Sequence, residues 1–178
     1  MTDPNAPEAP RTFMSRVDWT LDLVAALCRV ITGVSLVFLT VIFGWLVFGR
    51  YVLNATPTWV EQAALLLVMV IAFLGAAVGV HENYHLSVSA FRTAVPKPIR
   101  TLCVVMTDAA MAGFGFFMLL YGAQLTAFKW GSMIPLIQLP EGLRSLPLTI
   151  GGGLILVFSL AHLARVALGR DLRRDTIE

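Results

Sequence analysis

Charge is scarce in this chain. Only 13% of its 178 residues are Asp, Glu, Lys or Arg, with 13 basic against 11 acidic side chains and a net charge of +2. A globular domain normally carries about 25% charge, so there is too little polar surface here to cover a soluble fold. The small net charge also lacks the basic excess by which proteins bind nucleic acid, and no nucleic-acid partner is expected. Cysteine is nearly absent. Cys28 and Cys103 lie in or near apolar runs where a disulfide is not expected, and both read as small hydrophobes. No internal repeat is visible, which gives no support to an inverted-repeat transporter in miniature.

Hydrophobic residues, by contrast, make up 57% of the chain. They gather into four runs, roughly 24–48, 58–80, 100–127 and 146–168. Each is long enough to cross a bilayer, which takes about 20 helical residues. The expected fold is therefore an all-α integral membrane protein of four transmembrane helices, and the loops between them are too short to hold a catalytic module. From Phe13, the positions Phe13, Val17, Leu21, Val24 and Cys28 recur at helical spacing while Arg16, Asp18 and Asp22 fall elsewhere. That pattern predicts an amphipathic lead-in helix at headgroup level, a depth that suits Trp19. Residues 1–12 read as a disordered tail, 13–168 as the membrane domain and 169–178 as a basic tail. With no apolar run behind a basic start, the beginning of the chain does not read as a signal peptide.

Basic residues stay with cytoplasmic loops. Ten of the 13 fall on one side: Arg11, Arg16, Arg29, Arg92, Lys97, Arg100, Arg165, Arg170, Arg173 and Arg174. Only Arg50, Lys129 and Arg144 fall on the other. Both termini are accordingly expected in the cytoplasm.

Polar groups within or beside the spans are the candidates for function, because an ionisable side chain in hydrocarbon needs a partner, a proton or water. Arg29 lies just inside the cytoplasmic end of the first span and reads as a snorkelling cation. Its sharper reading is a pair with Asp108, two turns into the third span from the same side. Arg50-Tyr51 suits the outer interface, as does Trp59. Thr58 and Glu61 fit a capping box behind Pro57, and Glu61 is also within reach of Arg50 across the first loop. Gly75-Ala76-Ala77-Val78-Gly79 is a small-xxx-small stretch that permits close helix approach, and Gly151-Gly152-Gly153 does the same in the fourth span. The third loop, 129–147, is unusually apolar between Pro135, Pro140 and Pro147, and such a loop calls for cover by the interface or by a partner.

Two chemical readings compete with packing. His81-Glu82-Asn83-Tyr84-His85 matches the H-E-x-x-H pattern of zinc proteases, in which two histidines on one helical face hold the metal and the glutamate activates water. A third ligand would have to come from Asp108 or His162, and Pro96 and Pro98 break the loop that follows. His85 and His162 could alternatively serve as axial ligands to haem in a respiratory membrane anchor, since they fall at similar depth on different helices.

Taken in order, Trp59-Val60-Glu61, Gly75-Ala76-Ala77, His85-Leu86-Ser87-Val88, Leu139-Pro140 and Leu146-Pro147-Leu148-Thr149-Ile150-Gly151 form a recognisable set. From about residue 20 to 168 the chain resembles the small, DctQ-like membrane subunit of TRAP transporters, the tripartite ATP-independent periplasmic family. It departs from the family at Gln62 and Ser89, where acidic residues are usual. The resemblance implies a scaffold subunit of the bacterial inner membrane that binds no cofactor or metal and is not an enzyme. Its expected partners are a large multi-span membrane subunit, which moves by an elevator mechanism and carries the sodium and solute sites, a periplasmic solute-binding protein that delivers the solute, commonly an organic acid, and membrane lipids. Arg50, Trp59, Glu61 and the third loop would then face the periplasm, while His85 would hold the second loop on the cytoplasmic side.

Overall fold

The structure is a computed structural model that describes residues 13–55, 57–82, 97–135 and 137–167. Among the described residues four helices follow one another: α1 (Phe13–Tyr51), α2 (Trp59–His81), α3 (Lys97–Lys129) and α4 (Gly142–Ala167). All four are long and apolar enough to cross a membrane, as the four runs predict. The lead-in from Phe13 and the first span form one uninterrupted helix of 39 residues. At 1.5 Å per residue it is about 58 Å long against a hydrocarbon core of about 30 Å, so it projects well beyond the bilayer.

The packing is closer to a row than to a symmetrical bundle. α4 sits between α2 and α3, and α1 leans on the far side of α2. The consequence for burial is large: only 11% of the most apolar window of α1 is buried in the chain, against 39% for α4. Val30, Val34, Val37, Val41 and Trp45 of α1 all remain exposed. On the opposite flank, α3 exposes Phe114, Phe117, Tyr121 and Phe128.

The four helices share one buried cluster, formed by Leu21, Ala25, Ala77, Val80, Met118, Ile155 and Phe158. A smaller cluster of Ile42, Val60 and Ala64 fastens α1 to α2 toward the other end. Between α3 and α4 the backbones nearly touch. A Cβ placed on Gly152 would lie 2.6 Å from Met118 Cβ, and one on Gly115 would lie 2.7 Å from the backbone nitrogen of Leu156. The contact that the sequence suggests for Gly75 and Gly79 is looser. Gly75 reaches only Thr32 Cγ2, at 3.7 Å from an added Cβ, and Gly79 has nothing within 4 Å. The tight helix contacts thus belong to α4, against α3 here and against α2 at Gly151, because α4 is the element enclosed on both sides.

Two local expectations change. Thr58 makes no side-chain capping bond, so the Thr58–Glu61 capping box does not form; the first turn of α2 instead begins with Val60 N–H donating to Pro57 O at 3.1 Å. Helix α4 starts at Gly142, and Pro147 lies inside it. Leu143 N–H donates to Pro140 O at 3.0 Å and Arg144 N–H to Glu141 O at 3.1 Å, which closes the first turn five residues before Pro147 removes a donor. Pro147 therefore does not end the third loop.

Candidate functional site

Polar side chains concentrate at the two ends of the helix row. At the inner end, α1 supplies Asp18, Asp22 and Arg29. Asp18 Oδ1 accepts hydrogen bonds from Arg165 Nη2 at 2.6 Å and Nε at 3.1 Å. Asp22 Oδ1 accepts from His81 Nε2 at 2.9 Å, and Arg29 forms an ion pair with Glu82. Asp18, Asp22 and Arg29 lie at spacings of four and seven on α1, so one helical stripe presents all three groups. They tie this weakly packed helix to the ends of α2 and α4.

Below this latch, buried Asp108 of α3 sets Oδ1 3.9 Å from Nδ1 of buried His162 on α4. The His162 ring lies 6.3 Å from the His81 ring, which rests 4.5 Å from the ring of Phe158. The expected Arg29–Asp108 pair is thus replaced. Arg29 faces Glu82, because α1 packs on α2, whereas Asp108 meets α4, the neighbour of α3.

The zinc pattern is also recast by this geometry. α2 ends at His81, with Glu82 as its C-terminal cap. His81 Nε2 is directed to Asp22 and Glu82 to Arg29, so the two residues are drawn to different partners instead of one metal. Among the described residues, no three His, Cys, Asp or Glu side chains converge as a metal site. His85 lies outside the described residues.

At the outer end, Lys129 Nζ donates to Glu141 Oε1 at 2.8 Å across the third loop. That hydrogen bond, aided by the charges of Lys129 and Arg144 and opposed by some desolvation, holds the Glu141 carboxyl below its ordinary range. Arg144 donates to the side-chain oxygen of Gln62. The loop itself is folded: Ile134 N–H donates to Leu139 O at 2.8 Å, Met133 and Pro140 form an antiparallel bridge, and Ile134 is buried. Part of its apolar content is therefore covered within the chain, while Met133 stays exposed.

The remaining candidates occupy surfaces. Arg50 lies in the last turn of α1, Trp59 opens α2 and Glu61 follows in its first turn, and all three are exposed. Sequence reasoning missed Asp18, Asp22, Gln62, Arg144, Arg165 and the Lys129–Glu141 bridge. The Asp18–Asp22 spacing was a visible signal, since two carboxylates one turn apart beside a membrane span require cations. Their identity depended on helix order, which periodicity does not contain.

Residues 39–169 match the family described as tripartite ATP-independent periplasmic transporters, DctQ component. The chain is also similar to the sialic acid TRAP transporter small permease protein SiaQ of Vibrio cholerae serotype O1, with 27% identity over 92 residues. That match covers 52% of this chain and 46% of the relative's length.

Proposed function

The chain belongs to the DctQ component family of tripartite ATP-independent periplasmic transporters, and from that premise we propose that it is the static partner of a large elevator-type membrane subunit. The family and the four apolar helices indicate a multi-pass protein of the bacterial inner membrane, a transporter component and not an enzyme. Finer than that is the mechanical role. A subunit that braces a moving partner needs a stiff interior and apolar outer flanks. The observation that carries this reading is the combination of the tight α3–α4 contact with broad exposed apolar faces on α1 and α3. Apolar surface of this extent suits lipid and a membrane partner together.

On this reading the transported solute, an organic acid taken up with sodium, binds elsewhere, on a periplasmic binding protein and then on the large subunit. Both termini and the Asp18–Arg165 latch face the cytoplasm. Arg50, Trp59, Glu61 and the loop containing Pro140 face the periplasm, where they brace the large subunit or meet the binding protein. Gly79, open on the surface of α2, is a further place for close helix approach.

Affinity purification of the full chain from its native membrane in mild detergent, with mass spectrometry, tests the assignment. One much larger multi-span protein in stoichiometric amount is the expected companion. A flavin or iron–sulfur subunit, or recovery of the chain alone, would refute it. Deletion of the chain should also abolish uptake while the binding protein keeps its affinity for solute.

A further inference from the structure

A cleft of about 300 Å³ lies between α2 and α3 over the start of α4. Its deep boundary is set where α4 is squeezed from both sides: an added Cβ on Gly151 would lie 2.9 Å from Phe73 Cβ, and one on Gly152 would lie 2.6 Å from Met118 Cβ. Above that point the cleft opens between Met69 of α2 and Leu125 of α3, both exposed. Its floor is apolar at Phe73 and Leu148 and becomes charged at Lys129 and Arg144.

The charges do not balance. Lys129 is matched by Glu141 at 2.8 Å, but Arg144 reaches the neutral amide oxygen of Gln62. Two cations therefore face one carboxylate, and Arg144 Nε is buried with no hydrogen-bond partner among the described residues. A guanidinium with an unclaimed N–H in a low-dielectric setting calls for an anionic oxygen, and phosphate geometry matches its fork. The distance from Ser145 to Gly151 along α4 is about 9 Å by helical rise, enough for a headgroup linkage and the start of an acyl chain.

We propose that this cleft binds one anionic membrane phospholipid, its phosphate held by Arg144 and Lys129 and the start of an acyl chain laid along Met69, Phe73, Leu125 and Leu148. The polarity gradient is that of a lipid entering from the side: charge at the helix ends, hydrocarbon toward the middle. A small soluble anion has no use for the apolar walls. The excess of one positive charge selects an anionic lipid over phosphatidylethanolamine, whose ammonium would face Lys129 and Arg144. The site rests on this chain's own residues and does not depend on the function proposed above.

Native mass spectrometry of the full chain in mild detergent, supplied with phosphatidylglycerol or phosphatidylethanolamine, tests the site. One phosphatidylglycerol should be retained, with roughly tenfold preference over phosphatidylethanolamine. Arg144→Gln should lower its retention roughly tenfold, the effect of losing one charge-assisted contact. Met69→Trp, which fills the apolar mouth from an exposed position and leaves the charges intact, should also expel the lipid. The proposal fails if the wild-type chain retains no lipid, if the two lipids are held equally, or if both variants bind as the wild type does. It fails equally if Leu125→Cys cross-links efficiently to another subunit in the assembled complex, because the cleft would then hold protein.

Discussion

Replacing Gly115 by alanine should cost far more than replacing Gly113, two residues earlier on the same helix. An alanine methyl at position 115 would lie 2.7 Å from Leu156 N, 2.9 Å from Gly152 O and 3.1 Å from Ile155 Cγ2, whereas at position 113 it meets nothing within 4 Å. Favourable heavy-atom contacts lie near 3.5–4.0 Å, so α3 and α4 must separate by about 0.8 Å. Leu156 N and Gly152 O are backbone atoms and cannot rotate aside. Overpacking of this kind costs about 1–3 kcal/mol. Both variants gain the same helix-propensity term, about 0.5–1 kcal/mol for Gly to Ala, so it cancels in their difference. Gly115→Ala should therefore be less stable than Gly113→Ala by about 1–3 kcal/mol. Equilibrium unfolding in mixed micelles, followed by far-ultraviolet circular dichroism, measures that difference. Two variants within about 0.5 kcal/mol of each other, the ordinary scatter of surface substitutions, would refute a backbone-close α3–α4 seam.

Other consequences follow from the end clusters. Asp18→Asn and Arg165→Gln should each loosen the inner end of α1, and a double-mutant cycle should return a coupling of about 1 kcal/mol, the scale of a partly exposed charge-assisted pair; additivity within about 0.3 kcal/mol would remove the latch. Ser159 is fully buried and its hydroxyl has no partner, so Ser159→Ala should leave unfolding unchanged or raise stability, and a loss above about 1 kcal/mol would contradict that environment. The Glu141 carboxyl is held low by Lys129, which means the folded chain favours its ionised form. The stability it contributes is present above the ordinary carboxylate range, about pH 4.3, and is lost as pH falls through the lower folded value. Comparison of the wild type with Glu141→Gln at pH 7 and near pH 3 should show a stability gap at the higher pH that closes at the lower; a gap that widens on acidification would reverse the sign.

What the sequence disclosed and what it withheld divide along a physical line. The spans were legible because a bilayer imposes length and apolarity on each helix separately, and α2 and α4 end within a few residues of their runs. Such signals are local. Helix order in the row is not, and the misjudged contacts between helices depended on it. Arg29 and Asp108 were expected to meet from the same side of the membrane, yet α1 neighbours α2 while α3 neighbours α4, so each charge found a different partner. The same order explains the glycines: a small-residue motif reports that close approach is permitted but not which helix approaches. Gly152 lies in an enclosed helix and is filled by α3, whereas Gly79 lies on α2 with nothing against it. An interior that is closed at Gly115 and Gly152 but open at Gly79 and along α1 suits the attached role proposed above: rigidity where the chain meets itself and exposed apolar surface left for lipid or a partner.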